Sequence, residues 1–157
     1  MEGRETDLEY NLLMGLTGAS VSKHLLDEHF TLLWANDFYY DMIGYPKEEY
    51  EALFHNKPDL YFKGYDEAWN ILSKNVYETI ANKASGYETV IQMPTRKGKR
   101  WTKITSTFTD QLQDGIPISY TVMTDVEDVM RRRIEQTITY DTVSYTHLRA
   151  HETCADL

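Results

Sequence analysis

Three stretches in the second half of the chain constrain the fold more than any other feature of the sequence. Residues 87–93, 101–109 and 118–122 each alternate side chains in the period of a β-strand. Asp114-Gly115 is a strong signal for a two-residue hairpin turn, and residues 94–99 form a second turn signal. One face of each predicted strand carries, in order, Tyr87, Thr89, Ile91 and Met93; Ile104, Ser106 and Phe108; and Ile118, Tyr120 and Val122. The sequence therefore predicts three antiparallel strands in this region.

Two further apolar runs lie near the amino end. Val21 to Leu26 and Phe30 to Ala35 are separated by the polar turn 27–29, and this arrangement predicts a second β-hairpin. A helix-rich segment separates the two strand groups. The order predicts an α+β domain in which a five-stranded antiparallel sheet carries short helices on one face.

The helical insert has clear start and stop signals. Asn36 is predicted to cap the first short helix rather than to bind a ligand, and Gly44 ends that helix. Residues 45–50 are predicted to start a second short helix, and residues 55–63 should form a loop with one helical turn. The longest predicted helix covers residues 66–84, and its apolar stripe contains Trp69, Leu72, Val76, Tyr77 and Ile80.

Helices are also predicted at both ends of this domain. A short lead-in helix is predicted over residues 7–16, and a second helix covers residues 126–140. In the second helix the apolar residues recur every four positions, at Val126, Met130, Ile134 and Ile138. Such a narrow stripe is marginally stable alone in water, so we expect a parallel homodimer in which the flanking helices contribute to the interface.

Composition limits the function classes. The 157 residues fit one domain, and the net charge of −9 argues against nucleic acid or an anionic membrane as the main partner. No apolar run is long enough for a membrane span, and the amino end lacks the pattern of a signal peptide. The single cysteine, Cys154, cannot form an internal disulfide. These features predict a cytoplasmic protein.

The order of elements, together with several motifs, resembles the PAS family. Residues 33–45 resemble the family's strand, Asn, amphipathic helix, Gly and aromatic residue, and residues 47–50 resemble the Glu-Glu segment that follows. Residues 96–101 resemble the hairpin that has Gly at its tip and Trp in the next strand, and residues 114–117 resemble the second hairpin. Residues 124–127 resemble the Asp-Ile-Thr ending, with Glu127 in place of Thr.

The resemblance implies a domain organisation and a role. Residues 1–20 would be a lead-in segment, 21–128 a PAS domain of the sensory-box type, and 129–141 a signalling or linker helix. The implied role is a non-enzymatic sensory module of a bacterial multidomain signalling protein, which responds to a small ligand or a partner. Residues 135–141 resemble the segment that leads into a GGDEF diguanylate cyclase domain, although a second PAS domain or a purely structural dimerisation role also fits.

No catalytic residues, cofactor or metal site are predicted. His24 lies in a predicted strand and His29 in a turn, so surface or edge positions explain both. Some PAS domains hold a haem-ligating His near the position of His55, but that ligand usually comes from the longer helix, and residues 66–84 contain no His. The stretch 54–59 lacks the reactive cysteine that light-sensing flavin photochemistry requires, while noncovalent flavin stays open.

The resemblance implies a cavity between the sheet and the helices. Such sites are mostly apolar with a few polar groups that orient the ligand. The predicted cavity residues are Trp34, Phe38, Trp69, Ile91, Met93, Ser106 and Tyr120. The alternative is that these side chains simply fill the core.

The last residues of the chain have a separate resemblance. Residues 143–153 resemble the translation of a transposase adapter used to prepare sequencing libraries. This implies that native sequence ends near Asp141 and that residues 142–157 are a non-native tail. His147, His151 and Cys154 would then carry no function, although His147 and His151 have a spacing that could otherwise suggest a metal site.

Overall fold

The computed structural model describes residues 8–9 and 18–139. Leu8 and Glu9 are helical, in agreement with the lead-in helix, but the rest of that predicted helix lies outside the described residues. Tyr140 and the predicted tail 142–157 lie outside them too. The chain divides into two compact units, one ending at Asp125 and one beginning at Val126.

The first unit contains the predicted antiparallel five-stranded sheet. Its strands are β1 (Ser20–Leu25), β2 (Leu32–Ala35), β3 (Gly86–Thr95), β4 (Gly98–Gln113) and β5 (Ile116–Asp125). They pair in the order β2-β1-β5-β4-β3, with every neighbouring pair antiparallel. The helices between β2 and β3 are α1 (Asp37–Ile43), α2 (Lys47–Phe54), α3 (Pro58–Tyr61) and α4 (Asp66–Ala81). The α+β architecture predicted from the sequence is therefore confirmed.

The helix caps and the hairpin turn predicted from single residues agree most closely with the structure. Asn36 caps α1, since its Oδ1 accepts a hydrogen bond from the amide of Tyr39 at 3.2 Å. Gly44 ends the helix in the left-handed conformation, with φ of 80°. Asp114 and Gly115 both have positive φ, 52° and 79°. Positive φ at both central residues is typical of the two-residue turn whose twist matches that of the flanking strands. This turn joins β4 to β5.

The prediction for α4 is partly wrong. The helix ends at Ala81 rather than Ala84. Leu72 and Val76 are buried as predicted, but Tyr77 is 60% exposed and Ile80 is 50% exposed. The buried face instead runs through Ala68, Leu72, Val76 and Thr79, because those positions face the sheet.

A cluster of tyrosine rings forms the core between α1, α2 and α3. Tyr39, Tyr40, Tyr50 and Tyr61 are all buried, and their rings pack mainly edge to face at centroid distances of 5.2–5.9 Å. The hydroxyl of Tyr61 donates to the carbonyl oxygen of Pro94 in β3, and burial raises the pKa of this phenol well above its ordinary value. The hydroxyls of Tyr39 and Tyr50 lie 3.3 Å apart. The tyrosine-rich composition thus supplies large apolar rings, and the hydroxyls of Tyr39, Tyr50 and Tyr61 have hydrogen-bond partners.

The second unit contains the helix predicted after the last strand. This helix, α5, spans residues 127–139 in the described part of the chain. On its predicted apolar stripe, Ile134 is 44% exposed and Ile138 is 61% exposed. The helix prediction is confirmed, and the homodimer stays a prediction.

Candidate functional site: an uncharged cavity under the sheet

A cavity lies between the inner face of the sheet and α4. Its volume is about 60 Å³, enough for a few water molecules, and it is partly open. It is smaller than the roughly 150 Å³ of an engineered cavity that binds benzene. The lining residues are His24, Leu26, Phe30, Tyr39, Pro58, Phe62, Trp69, Leu72, Val76, Tyr87, Met93, Ile104, Ser106, Ser119, Thr121 and Met123.

The sheet side of the cavity carries a row of hydroxyl groups. Strand pairing places Ser106 of β4 opposite Thr121 of β5 and opposite Tyr87 of β3. The hydroxyl of Thr121 donates to Oγ of Ser106 at 3.2 Å. Burial raises the pKa of Tyr87 to about 12, and a hydrogen bond with the side chain of Ser106 opposes part of that rise. Ser119 lines the cavity two residues before Thr121, so four neighbouring hydroxyls form one polar strip.

His24 lies at the end of this strip, where its strand pairing sets it opposite Ser119. Its Nδ1 lies 2.8 Å from the carbonyl oxygen of Phe30, which can only accept, so Nδ1 carries the proton. Nε2 of the neutral ring then accepts from the hydroxyl of Ser22 at 2.8 Å. Burial lowers the pKa of His24 and outweighs the opposing influence of Phe30 and Asp27. The imidazole is therefore held neutral, in one orientation.

The interpretation of His24 as a surface or edge residue is wrong. Alternation along β1, which puts Ser22 and His24 on one face, was readable from the sequence. In the structure these two residues are paired with Thr121 and Ser119 of β5. That pairing could not be known from the sequence, because β1 and β5 lie far apart along the chain. His55 has a different environment: it ends α2 with a φ of 53°, is exposed and does not line the cavity.

Aromatic rings border the cavity opposite β4 and β5. Phe30 packs on Trp69 with 4.9 Å between ring centroids, and Phe62 packs on Trp69 at 5.7 Å. Phe30 has a φ of 53°, which a non-glycine residue adopts only when its surroundings impose it. Asp27 provides that support by accepting hydrogen bonds from the backbone amide of Thr31 at 2.9 Å and from its hydroxyl at 2.6 Å.

The turn that carries Phe30 is also tied to α3. Nδ1 of His29 lies 2.7 Å from Oδ2 of Asp59, and this hydrogen bond raises the pKa of His29. Although burial opposes ionisation of Asp27, the hydrogen bonds from Thr31 and His29 hold its pKa below the ordinary value. The turn between β1 and β2 is therefore anchored on both sides of Phe30.

Three of the seven predicted cavity residues line the cavity. Trp69 contributes from α4, Met93 from β3 and Ser106 from β4. Ile91 is buried in the main core but lies along a separate depression with Ala68.

The other three predicted residues lie elsewhere. Trp34 borders a depression beside Tyr40. Phe38 is half-buried and its ring lies near Gly18, while the next residue, Tyr39, lines the cavity. Tyr120 is 36% exposed on the opposite face of β5.

The sequence prediction placed the face of β5 that carries Tyr120 towards the cavity, and this is the wrong face of the strand. Its ring lies 5.7 Å from Nζ of Lys23, and its hydroxyl donates to Gln111 at 3.2 Å. The cavity face of the same strand carries Ser119 and Thr121, whose small polar side chains gave no hydrophobic signal. Small hydroxyl residues at every second position of a buried strand were the sequence signal that could have identified this face.

The described residues offer few groups for a metal ion. Within residues 8–9 and 18–139, no cluster of three or more His, Cys, Asp or Glu side chains is arranged to hold one. Both ring nitrogens of His24 already have partners.

In the described part of the chain, no helix is long and apolar enough to span a membrane.

The sheet order, the helical insert and the cavity between them define the PAS fold, and comparison with solved structures agrees. A sensory box histidine kinase/response regulator from Burkholderia thailandensis E264 is 15% identical with a TM-score of 0.61, over 87% of this chain and 98% of that chain. A PAS domain of a protein from Colwellia psychrerythraea is 12% identical with a TM-score of 0.54, over 77% and 98%. An RNA-binding light-oxygen-voltage receptor is 16% identical with a TM-score of 0.52, over 89% and 39%.

These similarities establish the fold. No protein-family model matches the sequence. No curated protein sequence matches it either.

Proposed function

We propose that this chain is a non-catalytic sensory or regulatory PAS module that binds a small molecule in the cavity beneath its sheet. The observation that carries this proposal is the cavity itself, which combines a hydroxyl strip with an aromatic border. Ligand sites in proteins are typically apolar with a few polar groups that fix orientation. Proteins that share the fold include a sensory box histidine kinase and a light receptor, which supports a sensory role.

The cavity has no accessible pair of nucleophile and base in the described residues. Ser22 and His24 are hydrogen-bonded, which resembles half of a hydrolytic triad. However, Ser22 is fully buried and does not line the cavity, and a backbone carbonyl rather than a carboxylate contacts Nδ1 of His24. This pair is best understood as a structural contact that holds the imidazole in place.

A route from the cavity to an output follows from the order of the chain. Ser119, Thr121 and Met123 line the cavity on β5, and that strand ends at Asp125, shortly before α5 begins at residue 127. A ligand that binds one arrangement of β5 better than another would shift the population between them. We propose that α5 carries this shift to a downstream domain and contributes to a homodimer.

The sequence resemblance makes a GGDEF diguanylate cyclase domain or a second PAS domain the proposed output. Sequencing the source genomic DNA past codon 141 tests this. An open reading frame that continues into either domain would support the proposal, and a stop codon at that point would refute it.

The ligand proposal is tested by blocking the cavity. Val76 is buried on α4 and lines the cavity, while its neighbour Tyr77 is exposed and does not. Val76→Phe should fill the cavity, whereas Tyr77→Phe places the same residue outside it and serves as the control. Native mass spectrometry of the purified wild-type protein should show a bound small molecule, which Tyr77→Phe retains and Val76→Phe loses.

Circular dichroism should first confirm that both variants are folded. Extracts of small molecules from the expression host should raise the melting temperature of the wild-type protein and of Tyr77→Phe but not of Val76→Phe. An equal response in all three proteins would place binding outside the cavity and refute the proposed function.

A further inference from the structure

We propose that the cavity selects an uncharged molecule with a flat apolar body and one edge that both donates and accepts hydrogen bonds. The inference rests on the proposed function above, and it names the chemical class of ligand that this cavity would recognise.

The absence of charge is the first observation. Among the residues that the structure describes, the cavity lining includes no Lys, Arg, Asp or Glu. The ionisable groups that do line it are held neutral, because burial lowers the pKa of His24 and raises those of Tyr39 and Tyr87. An ion that entered would lose its hydration without meeting an opposite charge, which is strongly unfavourable.

The hydroxyl strip defines the polar edge of the ligand. Ser106, Ser119, Thr121 and Tyr87 each carry a hydroxyl, and each hydroxyl can donate one hydrogen bond and accept others. A carboxylate can only accept, and an amidinium can only donate. A carboxamide or a similar neutral group does both, so it matches the strip better than either ion.

The remaining walls define the apolar body. Phe30 and Phe62 border the cavity and each packs on the ring of Trp69. Leu72 and Val76 line the cavity from α4. Aromatic borders favour a flat ring through stacked or edge-to-face contacts. The cavity of about 60 Å³ is smaller than one that encloses benzene, but it is partly open, so a single ring with a small substituent can extend from it.

Three commercially available probes separate charge from shape. Benzamide, benzoate and benzamidinium are planar and nearly equal in size, but at neutral pH they are neutral, anionic and cationic. Amide resonances of uniformly ¹⁵N-labelled full-length protein would be followed by NMR during titration with each probe. We expect benzamide to shift resonances of β4 and β5 with at least about tenfold tighter binding than either ion.

Variants test whether the hydroxyl strip causes this preference. Thr121→Val removes one hydroxyl while keeping the shape of the side chain, and it should weaken benzamide binding by about threefold to tenfold. Thr105→Val makes the same change at an exposed position of β4 and should leave binding unchanged. Binding that is unaffected by Thr121→Val would show that the strip does not contact the probe and would overturn the inference.

The outcomes for the inference and for the proposed function are distinct. If either ion binds the wild-type protein as tightly as benzamide, and Val76→Phe blocks it, the cavity is a binding site but its charge selection is not as inferred. If none of the probes shifts any resonance at millimolar concentration, the inference also fails. The copurified ligand and its loss in Val76→Phe would still decide the proposed function.

Discussion

Replacing Asn36 should test how one buried amide connects three elements of this fold. Asn36 is fully buried between β2 and α1. Its Oδ1 accepts hydrogen bonds from the amides of Val21 at 3.0 Å and Tyr39 at 3.2 Å, and its Nδ2 donates to the carbonyl oxygen of Ala19 at 3.0 Å. The side chain therefore connects the start of β1 to the start of α1.

The expected cost of Asn36→Ala follows from these contacts. Loss of the helix cap costs about 1 kcal/mol. The amide of Val21 would be left buried without its partner, which costs about 1–3 kcal/mol. We therefore expect the free energy of unfolding to fall by about 2–4 kcal/mol. Asn36→Ser keeps an oxygen that can cap α1 and should recover about 1 kcal/mol of that loss.

Urea unfolding followed by circular dichroism measures this change. Asn70 lies exposed on α4, so Asn70→Ala makes the same chemical change without a buried partner and should alter the free energy of unfolding by less than about 0.5 kcal/mol. The slope of the free energy against urea concentration should match that of the wild type. If Asn36→Ala were as stable as Asn70→Ala, the hydrogen bonds of Asn36 would not stabilise the fold, and the reasoning would be refuted.

Two further predictions concern pH and assembly. The hydrogen bond with Asp59 raises the pKa of His29, and Glu28, at 3.3 Å, adds to this effect. The contact between His29 and Asp59 therefore stabilises the fold fully below the unfolded pKa of His29, about 6.5, and this stabilisation is lost as pH rises through the folded pKa. The difference in urea midpoint between the wild type and Asp59→Asn should therefore shrink from pH 6 to pH 8.5, and a constant difference would contradict it. Ile134→Glu places a charge in the exposed stripe of α5 and should shift the protein towards monomer in sedimentation velocity at several concentrations, whereas Gln136→Glu, on the opposite side of the helix, should not. Equal dimerisation of both variants would place the interface elsewhere.

Features that depend on local chemistry were predictable from the sequence. Asn36 and Gly44 delimit α1 because a helix start needs a side-chain acceptor and a helix end needs a left-handed residue. Asp114-Gly115 fixes the last hairpin because its two-residue turn needs positive φ at both positions. Alternation of side chains along β3 and β4 also placed Met93 and Ser106 correctly on the cavity face.

Predictions failed where two faces of an element had similar composition. On α4, Tyr77 and Ile80 look as apolar as Leu72 and Val76, and only the position of the sheet decides which pair is buried. On β5 the larger residue, Tyr120, lies on the exposed face.

The sequence by itself determined the order of elements, their turns and caps, and the α+β class, because each depends on residues close together along the chain. The tertiary structure decided which side chains meet in the cavity. His24 and Ser119 are paired across β1 and β5, and Phe30 meets Trp69 from another part of the chain. Their proximity results from the sheet order and from the packing of α4, and neither leaves a periodic pattern in the sequence. The neutral imidazole meets the hydroxyl strip only because β1 and β5, which are distant in sequence, become neighbours in the sheet.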